Sequence, residues 1–195
     1  DITTEDGKSV TSLVYSITED SRKRVWIGTY NQGIFCYDLV NKTLSNYTLT
    51  NDNESIRYIP YVYVDSNDKV WAAVRASSYH LMCYDDVNDC FYFYDKEASF
   101  PEIMCICDDR KGNLWFGTWD SGIVKYNPRS KKKEIYFEDP SKMFHAHSII
   151  EYKDGVIAVG SDRGLCLWNY KTNEATVYNH HESSSYSLSS DYIYP

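Results

Sequence analysis

Proline and glycine are scarce: five and nine in 195 residues, too few for a disordered or linker-dominated chain. No run of 18 apolar residues occurs, so no helix is expected to span a membrane. Basic residues are outnumbered, 20 Lys and Arg against 28 Asp and Glu, for a net charge of -8. That balance argues against a nucleic-acid partner, because phosphate binding needs a basic surface. It also disfavours anionic membrane surfaces. The six cysteines (Cys36, Cys83, Cys90, Cys105, Cys107 and Cys166) contain no C-x-x-C pair and read as small hydrophobes, mostly buried. No metal or other cofactor is therefore expected. Gly-rich phosphate loops, a serine nucleophile elbow and a Cys/His constellation are also missing, which speaks against an enzyme. The opening Asp1-Ile2-Thr3-Thr4-Glu5-Asp6 lacks the charged-then-apolar pattern of a signal peptide. The segment is then cytosolic or a piece of something longer.

Long helical periodicity is missing as well. In its place stands an internal repeat, in a chain with 19 tyrosines and 16% aromatic residues. Trp26-Ile27-Gly28-Thr29 returns as Trp115-Phe116-Gly117-Thr118. A degraded copy, Trp71-Ala72-Ala73-Val74, lies between, and a fourth, Ala158-Val159-Gly160-Ser161, has lost its Trp. The copies follow one another at 45, 44 and 43 residues. An Asp precedes each Trp by six residues, as Asp20, Asp65 and Asp109. Constant length across a polar turn predicts a fixed hairpin register.

Each copy reads as four short strands: an apolar strand ending in the Asp, the Trp strand, a third strand ending in an aromatic, and a fourth after a polar turn. The expected class is all-β, a β-propeller segment of about four four-stranded antiparallel blades. Blades are predicted over about 10–50, 55–97, 101–138 and 145–180, within a single segment covering 1–195. Residues 186–195 resemble the start of a further blade, with Ile193 matching Val14, so the expectation is a segment excised from a larger propeller. Trp and Tyr side chains would fill the wedge between neighbouring blades.

The pattern acid-x(5)-W-[IF]-G-T-x(3)-G-I-x-x-Y resembles the two-component regulator propeller repeat. Asp20, Trp26-Ile27-Gly28-Thr29, Gly33-Ile34 and Tyr37 carry it, and Asp109, Trp115-Phe116-Gly117-Thr118, Gly122-Ile123 and Tyr126 carry it again. The copy at 59–94 lacks both glycines and the copy at 147–178 lacks Trp. The resemblance implies a seven-bladed parent in the periplasmic sensor region of a hybrid two-component histidine kinase, often one that regulates polysaccharide use. It further implies an immunoglobulin-like domain, one membrane span, and kinase and response-regulator modules outside this sequence. The parent would be membrane-anchored and this segment periplasmic.

A ligand site is expected where the copies differ. The loops between second and third strands carry Tyr30-Asn31-Gln32, Arg75 through Tyr79 and His80, Trp119-Asp120-Ser121, and Asp162-Arg163. The blade connections carry Arg57-Tyr58, Phe144-His145 and His180-His181-Glu182. Rings among Asn, Gln, Asp and Arg suit an oligosaccharide, whose C–H faces stack and whose hydroxyls need polar partners. Tyr30, Asn31, Gln32, Arg57, Arg75, Tyr79, His80, Trp119, Asp120, Asp162 and Arg163 are the candidates. Trp119 is the expected stacking platform, and Arg75 and Arg163 would hold a uronate or sulfate. The alternative is that Trp119 packs on a neighbouring loop. His145-Ala146-His147 with His80 would suit a metal or lyase site, but exposed or capping histidines are the commoner case, and no metal ligands or catalytic residues are assigned. Glu19-Asp20 and Asp108-Asp109 recur with the repeat and read as turn formers, and Lys131-Lys132-Lys133 as a solvated turn. The predicted function is oligosaccharide sensing, with a protein-binding or dimerising scaffold and a glycan-active enzyme as alternatives. Two open flanks would favour self-association.

Overall fold

A computed structural model of the chain describes residues 2–51, 54–77, 80–137 and 145–194. It forms four four-stranded antiparallel sheets, each with its strands in sequence order. The first holds β1 (Val14–Glu19), β2 (Arg24–Thr29), β3 (Ile34–Asp38) and β4 (Thr43–Tyr47). A hairpin the sequence did not announce, β5 (Leu49–Asn51) and β6 (Glu54–Ile56), leads to the second, with β7 (Tyr61–Val64), β8 (Val70–Ala73), β9 (Leu81–Asp85) and β10 (Cys90–Phe93). The third holds β11 (Ile103–Asp108), β12 (Leu114–Thr118), β13 (Ile123–Asn127) and β14 (Lys132–Tyr136). The fourth holds β15 (Ala146–Lys153), β16 (Val156–Ser161), β17 (Gly164–Asn169) and β18 (Glu174–Tyr178). These are propeller blades. Of the three lysines expected in a turn, only Lys131 is in one, at φ 56°; Lys132 already starts β14. The chain divides into two compact units, Asp1–Ile103 and Met104–Pro195.

One carboxylate explains the six-residue spacing. Asp20 Oδ2 accepts the Trp26 indole N–H at 2.9 Å, while Oδ1 accepts the turn amides of Arg22 and Arg24, both at 3.0 Å. Asp65 does the same for Trp71 and the amides of Asn67 and Lys69. Asp109 does so for Trp115, Lys111 and Asn113. The recurring aspartates are turn formers and indole acceptors at once. The fourth blade has neither indole nor acceptor here, and its turn tightens around Gly155 at φ 83°.

In the first unit Trp26 is fully buried and reaches the next blade, 4.6 Å from Tyr84 and 5.7 Å edge-on to Phe91. The Arg24 guanidinium covers both Trp26 and Tyr84 and pairs with Asp20 at 2.7 Å. The second unit repeats the device. Trp115 meets Trp168 and Tyr170 of the next blade, and Lys125 sits over Trp115 and Tyr170. Such aromatic and cation–π contacts each add on the order of 1 kcal/mol to apolar burial.

The repeat's glycine permits the close approach of the next segment. A Cβ on Gly28 would lie 3.0 Å from the Ile59 carbonyl oxygen, and one on Gly117 would lie 2.6 Å from the Ala146 Cβ. Ile59 N–H donates to Thr29 O at 2.9 Å, and Gly33 N–H donates to Arg57 O at 3.0 Å. Ile193 N–H and Asp191 O make the same pair of bonds to Ser161 O and Gly164 N–H on the fourth blade. Residues 191–193 thus lie on that blade as residues 57–59 lie on the first.

Burial alone would raise the Asp109 pKa, but hydrogen bonds from Asn113, Trp115 and the turn amides outweigh it and hold the carboxyl below its ordinary 3.8. Asp20 is lowered against burial in the same way, by Trp26 and Arg24. A depressed folded pKa means stability present above pH 3.8 and lost as pH falls through the lowered value. We therefore expect the melting temperature to drop steeply below that pH. Asp109→Ala, which strands an indole N–H and two turn amides, should cost about 3 kcal/mol in urea unfolding followed by tryptophan fluorescence. A loss below about 1 kcal/mol, the worth of one ordinary hydrogen bond, would show that these donors find other partners.

Candidate functional site

The Thr of Trp-x-Gly-Thr closes the loop behind it. Thr29 Oγ1 donates to Gly33 O at 2.7 Å and accepts Gln32 N–H at 3.0 Å. Thr118 does the same with Gly122 and Ser121, and Ser161 with Gly164 and Arg163. The residues between are left free to vary. In the second blade Val74 replaces the hydroxyl and the loop runs on to His80, closed by Val74 N–H to His80 O at 3.0 Å.

In the first unit three rings meet. Tyr15, Tyr30 and Tyr58 lie 5.3–6.1 Å apart pairwise, with Tyr58 edge-on to the other two. Tyr15 and Tyr30 are about half exposed, at 46% and 51%. Arg75 N–H donates to Tyr58 O, its guanidinium lies 5.8 Å from the Tyr58 ring, and its Nε pairs with Glu102 at 3.2 Å. Burial, with Tyr15 beside it, pushes the Tyr58 phenol up, so it remains a neutral O–H at ordinary pH. Arg57 is exposed next to Tyr58.

Other candidates of this unit are engaged elsewhere. Gln32 Oε1 accepts the amides of Thr11 and Ser12 at 2.9 and 2.7 Å, and its Nε2 donates to Ser9 O at 3.1 Å. It clamps the segment before β1 rather than presenting an amide to solvent. Asn31 is exposed, with its N–H on Ser12 Oγ. The His80 ring turns back to Val74 O at 3.2 Å. Tyr79 and Phe144 lie outside the described residues.

In the second unit Trp119 stacks on His145, with centroids 4.1 Å apart and planes within 10°. Asp162 holds that residue, its Oδ1 accepting the His145 backbone N–H at 3.0 Å and its Oδ2 lying 3.2 Å from the ring Nδ1. One Trp119 face is therefore taken, and the residue remains 42% exposed. Asp120 accepts the Ser121 hydroxyl, and Arg163 O accepts the Asn179 amide. His147 does not join His145: its ring stacks on Tyr194 at 4.7 Å. Burial lowers the His147 pKa, helped by His145 and opposed by Asp162. Among the described residues no group of three or more His, Cys, Asp or Glu is placed to hold a metal ion.

Tyr15 and Glu102 were absent from the sequence-derived set. A signal for Tyr15 existed: one residue past Val14, Ile59 and Ile103, the repeat carries Tyr15, Pro60 and Met104, a position free to vary.

The two-component regulator propeller family profile matches residues 9–31 and 99–120, the regions that carry the strongest copies. Both regions are thus similar to the two-component regulator propeller repeat. A curated relative, Histidine kinase P4 of Formosa agariphila, is 23% identical over 208 residues, covering 95% of this chain and 15% of its own length. Extracellular domains assigned to two hybrid two-component systems of B. thetaiotaomicron superpose with TM-scores of 0.74 and 0.70, at 17% and 18% identity. They cover 93% and 94% of this chain but 24% and 27% of their own. Virginiamycin B lyase of Staphylococcus aureus has the same fold at TM-score 0.68 and 17% identity, over 90% of this chain and 58% of the enzyme. At such identity the structural likeness establishes the propeller fold. The chain spans about a quarter of the length of the first solved relatives.

The Gln32 clamp has a measurable consequence. Gln32→Ala should release the amides of Thr11 and Ser12, raising their hydrogen exchange at least about fivefold, since each lost bond is worth about 1 kcal/mol or more. Unchanged exchange at both amides would show that the strand itself holds the segment.

Proposed function

We propose that this segment forms part of the extracytoplasmic ligand-sensing propeller of a hybrid two-component signalling protein and that it recognises an oligosaccharide without turning it over. The observation that carries this reading is the exposed aromatic surface at the repeat's variable positions. Tyr15, Tyr30 and Tyr58 form one group and Trp119 on His145 another, each on a scaffold closed independently by the Thr hydroxyls. Amphipathic rings held rigidly lose little entropy on stacking against a sugar face. The family match and the histidine-kinase relative support the signalling context.

A scaffold role is the second reading, and the fourth blade favours it. Ala158 stands where other blades carry Trp, and beside it opens a cavity of about 660 Å³ lined by Ile150, Tyr152, Leu165, Leu167 and Tyr178. Ile150, Tyr152 and Tyr178 are about half exposed, a surface suited to self-association.

A thermal-shift screen of the chain against plant and host oligosaccharides separates the two. Sensing predicts a stabilisation of a few degrees by at least one glycan, reduced by Trp119→Ala or Tyr30→Ala. No shift with any glycan, together with concentration-dependent dimerisation in light scattering, would replace sensing by the scaffold reading.

A further inference from the structure

We infer that Tyr15, Tyr30 and Tyr58 with Arg75 form a subsite for an anionic sugar residue, and that Glu102 acts as the built-in competitor for its charge. This rests on the ligand-sensing reading and names the chemistry of one of its contact points. The three rings provide a stacking surface about half exposed at Tyr15 and Tyr30, too open to be core packing alone. Arg75 stands at its edge, tied by its backbone to Tyr58 O and lying beside the Tyr58 ring. A guanidinium carries five N–H donors. Among the described residues the Arg75 side chain is ion-paired only with the Glu102 carboxylate, its Nε 3.2 Å from Oε1, and it is 60% exposed. The two Nη groups are left to present a planar fork, the geometry that binds carboxylate or sulfate bidentately.

The surrounding charge sharpens the inference. The chain is acidic overall, at -8, so anions are not drawn to it by its general field. Arg57 and Arg75 nonetheless flank Tyr58, and among the described residues Arg57 has no ion pair of its own. Glu102, with its side chain 22% exposed, keeps Arg75 oriented across the ring edge while no ligand is bound. An incoming anion would share the guanidinium with this carboxylate. Removing that carboxylate should therefore strengthen anion binding, whereas a purely structural ion pair would weaken the fold and leave binding unchanged.

The test is calorimetry on the 195-residue chain with three trisaccharides of one linkage: α1,4-galactose, α1,4-galacturonate and a 6-sulfated form of the first. An anionic trisaccharide should bind at least about tenfold tighter than the neutral one, the worth of a charge-assisted bidentate pair. Binding of the uronate alone identifies a carboxylate ligand, and binding of the sulfated form alone a sulfate ester. The preference should vanish in Arg75→Gln. Glu102→Gln should raise the anionic affinity about threefold or more, by removing the competing charge, and leave the neutral affinity unchanged. Tyr30→Ala should weaken all binding alike. Equal affinity for neutral and anionic forms, a preference that survives Arg75→Gln, or no gain in Glu102→Gln each overturns the inference and leaves sensing intact. Absence of binding by any saccharide overturns both.

Discussion

A single aspartate carboxylate, shared between an indole and a turn, is the constraint from which three of the four blades are built. One oxygen takes the Trp N–H and the other takes two amides of the hairpin that leads to that Trp. A buried indole N–H without a partner is costly, and so is an open turn. Satisfying both with one group fixes strand register and indole direction together. The indole is then delivered into the neighbouring blade, where Tyr84 and Phe91, or Trp168 and Tyr170, receive it. Arg24 and Lys125 close the arrangement from above with their cations. Local geometry and inter-blade packing are thereby one problem.

That coupling is why the architecture was readable from the chain. The Asp-to-Trp interval, the glycine two residues past the Trp and the Thr after it each answer a backbone requirement; the interval recurs at steps of 45 and 44 residues, and the glycine and Thr of the first blade return in the third. Four four-stranded antiparallel blades follow, as the repeat predicts. The β5–β6 hairpin did not announce itself, because Leu49–Ile56 has no counterpart in the other copies. Periodicity is blind to what occurs once.

The site was legible to a lesser degree, for a related reason. Loop position predicts exposure but not where a side chain's hydrogen bonds go. Gln32 looked like a ligand contact and proves to be occupied by Ser9, Thr11 and Ser12, since its amide faces a segment whose path the repeat does not define. Trp119 lies outside the repeat, and its stacking partner His145 stands 26 residues on, just before the next blade's first strand. Tyr15 was overlooked because it sits in a strand that reads as scaffold. Contacts between distant segments decided these cases, and no local pattern encodes them.

The threonine after the repeat's glycine has a consequence for how such a protein changes over time. Its hydroxyl ties off the loop at both ends, so the loop keeps its closure whatever the residues between do, whether they clamp a neighbouring segment as Gln32 does or stay exposed as Asn31 does. Selection can rewrite those few positions in one blade without disturbing the packing of any other. Where the hydroxyl gave way to Val74, the loop lengthened instead. The scaffold thus works as a set of insulated sockets, in which chemical preference is exchanged piecemeal while the frame stays constant.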